Sequence, residues 1–427
     1  MIKTPLLLIL ISAALLAIDA IEVSEAGWLH SKQAGRYGTE ESEPEMAPWL
    51  DGFEKETTLR TLWIDDHIGS QETTSTAVGG FVGLESPQYY GLSANAALYI
   101  SQRLWGINPP NNALVNTAPY DNTSGFIYFG EAALQYTYAS VLLRAGRLRL
   151  QTPFADEDDI RMAPDTFEGA AGTFNTNDMT VHLLALRRWA GYDSTDDTGN
   201  QSDFKAFAQG SKGTAALGIV YSPNEMSEFN GWVYVADLLF DLGYLEAAGH
   251  YYFSPSLHLE WGVQYAKMAA QDASGIAGSV YGAMALLHAK NVYFGGAYNR
   301  ADVASGSFVT NGFGGGPYYT SLDESTIAGV SELAPGHNVS AYRIGGGADI
   351  AWWRHDEDEG LHLEAVYGRF DLSDTDIAVK ESDFLVGLGW DESFRLDALF
   401  ANFDIDNTPD PDYSDFQRYW IRVDYSF

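Results

Sequence analysis

The sequence predicts an all-β fold, a transmembrane antiparallel β-barrel, and three observations carry that prediction. Apolar and polar side chains alternate over long segments, many segments reach about ten residues, and aromatic residues gather where segments end. Successive side chains of a strand point to opposite faces. A soluble sandwich would bury the apolar face in a core and wet the other. A barrel in a bilayer turns the apolar face to lipid and the polar face to a lumen. The segment lengths match a tilted bilayer crossing of about 9–11 residues. Tyr89-Tyr90, Tyr251-Tyr252-Phe253 and Trp352-Trp353 have the placement of interfacial girdles, which decides for the barrel.

Composition narrows the function classes. The 427 residues contain no Cys, which excludes disulfide scaffolds, thiolate zinc sites and cysteine nucleophiles. Lys and Arg number 24 against 58 Asp and Glu, a net charge of −34. Nucleic acid is excluded as a partner, because binding phosphates needs clustered Lys and Arg.

Residues 1–26 read as a secretory signal peptide. Lys3 supplies the positive start, Leu6 to Ile18 is an apolar run, and Ser24-Glu25-Ala26 puts small residues before a cleavage point after Ala26. Cleavage after Ala20 is the alternative. A retained anchor is the competing reading, and the run is short for a span of about 20 residues. No later segment offers a second apolar helix. Residues 27–53 form an N-terminal lead-in, and residues 54–427 form one barrel domain.

Within the barrel domain the period is two. Leu257, Leu259, Trp261, Val263 and Tyr265 form one face, and Ser256, His258, Glu260 and Gln264 the other. Tyr342, Ile344, Ala348, Ile350 and Trp352 alternate with Arg343 and Asp349; Leu361, Leu363, Ala365 and Tyr367 alternate with His362 and Glu364. Phe394, Leu396, Ala398 and Phe400 alternate with Arg395 and Asp397. Tyr419 to Phe427 alternates throughout and ends on an aromatic, a pattern similar to the signal read by the bacterial outer-membrane assembly machinery. There are about seventeen strand candidates, and an even count is normal for such barrels, so about 18 strands are expected, with 16 as the alternative. The missing strand is expected within Asp203 to Gln209 or Val303 to Asn338. Tight connections (Tyr138-Ala139-Ser140, Ser254-Pro255, Gly389 to Ser393) alternate with long external loops at Trp105 to Asn122, Gln151 to Asn175, Gly191 to Lys212, Val303 to Asn338 and Asp404 to Ser414.

The stretch from Gly146 to Ala170 carries a resemblance. It holds Asp159, Arg161, Pro164, Asp165, Thr166, Phe167 and Gly169 in a spacing that resembles the OprD family of outer-membrane porins. Gly316-Pro317-Tyr318-Tyr319-Thr320-Ser321, the run Asp323 to Ile327 and the closing Tyr425-Ser426-Phe427 are similar to epsilonproteobacterial members of that group. The resemblance implies an 18-stranded, trimeric barrel in the outer membrane of a Gram-negative bacterium; lipid and lipopolysaccharide are its expected surroundings, the acidic external loops reaching the latter through bridging divalent cations. One loop folds into the lumen and shapes a narrow eyelet. The implied function is passive diffusion of small hydrophilic solutes such as carboxylates, amino acids and short peptides. The acidic run from Asp156 to Asp159 departs from a purely anion-selective eyelet.

A pore selects by the side chains at its narrowest ring. If Leu148 and Leu150 meet lipid, parity sends Arg147 and Arg149 into the lumen. The same argument places Arg60, Arg343, Arg395 and Arg422 on polar faces. Such guanidiniums would guide carboxylates by bidentate, charge-assisted contacts. Asp156, Asp158 and Asp159, with Arg161 beside them, supply the opposing wall. The competing reading is lumenal ion pairing, in which each Arg neutralises an acid on a neighbouring strand.

Other constellations are weaker. Asp404, Asp406, Asp410 and Asp412 have spacing suggestive of calcium, but the loop lacks the Gly and Glu of a calcium-binding hand. An ordinary acidic outer loop is the simpler reading, so no cofactor is expected. The histidines show no nucleophile pattern, and Gly314-Gly315-Gly316 and Gly345-Gly346-Gly347 lack the Lys of a phosphate loop. An enzyme is therefore not expected. A structural barrel acting as an anchor or adhesin through its loops is the alternative function.

Overall fold

The computed structural model describes residues 52–68, 71–103, 125–194, 202–351, 360–390, 393–407 and 415–427. The signal peptide, most of the lead-in, the loop from Trp105 to Asn122, Trp352-Trp353, Asp410 and Asp412 lie outside the described residues.

The strands are β1 (Glu54–Ile68), β2 (Gln71–Glu85), β3 (Leu92–Arg103), β4 (Phe126–Tyr138), β5 (Val141–Leu148), β6 (Gln151–Thr152), β7 (Ala155–Asp156), β8 (Thr166–Asn175), β9 (Met179–Ala190), β10 (Lys205–Ala206) and β11 (Thr214–Asn224). They continue as β12 (Ser227–Ala236), β13 (Phe240–Ser254), β14 (Leu257–Ala270), β15 (Gly278–Ala289), β16 (Val292–Val303), β17 (Val339–Ala351), β18 (Gly360–Leu372), β19 (Ala378–Trp390), β20 (Phe394–Asp406) and β21 (Phe416–Ser426). Among the described residues one helix, α1 (Ile327–Leu333), lies between β16 and β17, its Thr326 cap accepting from the Gly329 amide.

Setting aside the two-residue strands β6, β7 and β10, the remaining 18 strands pair antiparallel with their neighbours. The sheet closes where β1 meets β21, from Thr58 opposite Ser426 to Ile68 opposite Phe416. Closure pairs every edge, as a barrel in lipid requires. The strand absent from the expected set is β8. It lies inside the segment read as the loop Gln151 to Asn175, where Gly169, Ala170, Ala171 and Gly172 hide the alternation. Asp203 to Gln209 yields only β10, and Val303 to Asn338 yields α1.

The outer wall is apolar. Leu134 is 66% exposed and Ile127 62%, with Leu183, Leu245 and Phe294 also exposed. An apolar band running round the wall suits lipid contact. At the end with tight turns, Tyr89, Tyr90, Tyr138, Tyr251, Phe253, Trp390 and Phe427 stand exposed as an aromatic girdle. The lumen departs from the simple two-face expectation. Leu148, Leu150, Phe154, Phe167, Val309, Phe313, Leu322 and Ile327 join Tyr234, Tyr244 and Phe370 in one buried apolar cluster. The inward loops bring their own apolar side chains, so the inner wall carries apolar partners for them.

Candidate functional site

Among the described residues two loops, not one, fold against the inner wall. The first runs from Arg149 to Asp165, and the second lies between β16 and β17. They join at a short bridge, where the Asp156 amide donates to the Phe313 carbonyl at 2.9 Å and the Phe313 amide to the Phe154 carbonyl at 3.0 Å.

The lumenal arginines fix both loops to the wall. Arg60 of β1 donates to Asp159 (2.5 and 2.8 Å), to Asp424 (both 2.8 Å) and to the Arg161 carbonyl (2.9 Å). Arg422 reaches the Asp159 carbonyl at 2.7 Å and lies 3.6 Å from Asp397 and 3.5 Å from Asp424. Arg395 pairs with Asp397 at 2.8 Å. The series Arg395, Asp397, Arg422, Asp424, Arg60, Asp159 thus alternates in charge across β20, β21 and β1 into the first loop. Arg343 bridges Glu364 (2.9 Å) and the Ser321 carbonyl (3.0 Å) of the second loop. The competing sequence reading, ion pairing, therefore describes Arg60, Arg343, Arg395 and Arg422.

Sequence reasoning passed over several groups in this network. Arg418 shares the parity of Arg422; it clasps Asp66 at 2.8 and 2.9 Å and pairs with Glu324 of the second loop. Glu381 accepts the amides of Glu324 and Ser325 at 2.9 and 2.7 Å, and Asp383 accepts that of Asp323 at 3.1 Å. Their even spacing on an alternating strand was the available signal.

The first-loop acids do not form an open wall. Asp159 is engaged by Arg60, Asp158 is buried, and Asp156 accepts the Glu157 amide at 3.0 Å. Arg161 is buried over the Tyr192 ring, 4.4 Å from its centroid. Asp165 is 1% exposed, and burial, with Asp193 and Asp158 nearby, raises its carboxyl well above the ordinary carboxylate value.

Arg147 and Arg149 separate, which corrects the parity argument. Arg147 is in register with Ala132 and Glu168, on the same face as the exposed Leu143 and Phe174, so it stands on the outer wall. It lies 3.9 Å from Glu168, which also pairs with Arg188. Leu148, only 2% exposed, faces inward instead of meeting lipid because the lumen holds an apolar core to receive it. Past the end of β5 the chain turns inward, and Arg149 reaches Glu56 at 2.7 Å and Glu131 at 3.0 Å.

Arg149 lines a polar cavity of about 640 Å³ together with Arg144, Glu85, Glu131, Glu157 and His182. Arg144 alternates with the outward Leu143 and makes no ion pair among the described residues. It is thus a cavity-lining guanidinium left uncommitted while its neighbours are engaged. At the calcium candidate, Asp404 and Asp406 both pair with Lys380, at 3.3 and 2.5 Å.

The fold is similar to solved outer-membrane proteins of two bacteria. OpdK of Pseudomonas aeruginosa matches with a TM-score of 0.73 and 15% identity, over 88% of this chain and 99% of that one. OccAB3 of Acinetobacter baumannii gives 0.72 and 15%, over 88% and 99%. OccK9 (OpdG) of P. aeruginosa gives 0.72 and 16%, over 88% and 99%. No curated protein matches the sequence. The family model for the outer membrane porins of the OprD family matches residues 87–321, more than half of the chain, and the chain belongs to that family.

Proposed function

We propose that this protein is a passive diffusion channel in the outer membrane of a Gram-negative bacterium, passing small hydrophilic solutes. Carboxylates, amino acids and short peptides are the solutes proposed. The observation that carries the reading is Arg144, an uncommitted guanidinium lining a polar cavity inside a closed barrel. A solute carboxylate is a bidentate partner for it. The acids on the same cavity, Glu85, Glu131 and Glu157, favour solutes that also bear an ammonium group. OpdK, one of the similar structures, was solved with vanillate, a carboxylate. The paired arginines have a different part: they hold the loops that narrow the path.

Liposome swelling tests the reading. Vesicles containing the folded protein should swell in an iso-osmotic amino acid or short carboxylate and resist a large oligosaccharide. A folded barrel that gives no swelling in any small solute would remove the channel and favour an anchoring role.

A further inference from the structure

We propose that Asp65, His67 and Glu72 bind a divalent transition ion, zinc or a near neighbour, on the outer wall beside the closure seam. Asp65 and His67 are two residues apart on β1 and so project to one face. Glu72 stands directly opposite His67 on β2. One ligand atom from each of the three lies within 4.8 Å of the others. The parity is that of Leu59, which is exposed on the outer wall, and the place is the long-loop end of the hairpin.

The group is held as metal ligands usually are. Thr74 Oγ1 donates to Asp65 Oδ1 at 2.7 Å, which orients a carboxylate that is only 4% exposed. His67 Nε2 sits 3.0 Å from Asp65 Oδ2, and its ring meets Tyr419 edge-on with centroids 5.8 Å apart. The Thr74 bond is an outer support of the kind that orients a ligating carboxylate, while His67 Nε2 and Asp65 Oδ2 are close enough to share one ion in place of the proton between them. One imidazole nitrogen with two carboxylates suits a transition ion better than calcium, which prefers six to eight oxygens. Three protein ligands leave a coordination position open, here toward the outside of the barrel. Asp65 and His67 lie on β1 and Glu72 on β2, so the ion would tie these two strands together at this end of their ladder.

The test is a cobalt titration of the full, folded protein in detergent after removal of metals with a chelator, read by visible absorption and reversed with zinc. Wild type should bind with about 1:1 stoichiometry, and His67→Gln and Glu72→Gln should each weaken binding at least tenfold. Thr74→Val should weaken it by about 10- to 100-fold, as loss of an outer-shell partner does. Glu72 is exposed, so Glu72→Gln keeps the barrel, checked by its heat-shifted migration on a gel. Absence of binding in wild type, or equal affinity in wild type and both ligand variants, would overturn the proposal. The latter result would assign the ion to other groups, such as the lumenal histidines.

Discussion

Arg60 and Asp159 join the barrel wall to the first inward loop through two parallel hydrogen bonds, Nη1 to Oδ1 at 2.5 Å and Nη2 to Oδ2 at 2.8 Å. Arg60 is 2% exposed, so the pair is shielded from salt and solvent. Removing one member of such a pair strands a charge, at a cost of about 3–5 kcal/mol. Arg60→Gln should therefore lower the urea midpoint in detergent and speed proteolysis of the first loop. Adding Asp159→Asn should recover part of the loss, because the two substitutions share one interaction. An unchanged midpoint in Arg60→Gln would show that the loop is held elsewhere.

Asp165 ties the first loop to pH. Its carboxyl is raised from the ordinary 3.8, first by burial and then by Asp193 and Asp158. Above that ordinary value the unfolded chain has released the proton while the folded chain keeps it. Stability falls by about 1.4 kcal/mol per pH unit until the folded carboxyl itself ionises. The contribution is thus present in acid and lost as pH rises through the raised value. Asp165→Asn should flatten this slope, giving a higher midpoint than wild type at pH 8 and little difference at pH 4. A parallel pH dependence in the two proteins would contradict the assignment.

Gly347 makes room for Tyr293 to cross β17. A Cβ there would lie 2.4 Å from the Leu363 carbonyl oxygen and 2.5 Å from the Tyr293 hydroxyl, which donates to Glu364 at 3.1 Å. Gly347→Ala should cost about 1–3 kcal/mol, the range for overpacking. Gly243, with nothing within 4 Å of its Cβ position, is the control, and Gly243→Ala should cost nothing. The midpoints of the two variants check this directly.

Local periodicity explains which parts were legible in the sequence. Exposed Val263 and Tyr265 flank buried Gln264 as the alternation predicts, because a strand's two faces depend only on neighbouring positions. Strand β8 was hidden because its small residues give no contrast between faces. Leu148 and Arg147 exchanged sides relative to expectation because apolar residues have two destinations here, lipid and the packed lumen. Which acid Arg60 or Arg418 meets depends on how two loops dock from distant parts of the chain, and period carries no record of that. Arg144 was within reach, since it alternates with Leu143 and Ala145, but β5 also holds Arg147, and nothing local to the strand marks which of the two is the uncommitted one.

Single-channel reversal potential in a salt gradient, with wild type compared against Arg144→Gln and Arg147→Gln, separates the cavity-lining guanidinium from the outer-wall one. A channel lined by Arg144 should give discrete conductance steps, a shift toward cations in Arg144→Gln, and no shift in Arg147→Gln, whose side chain stands on the outer wall. An unchanged potential in Arg144→Gln, or a shift produced by Arg147→Gln instead, would contradict it.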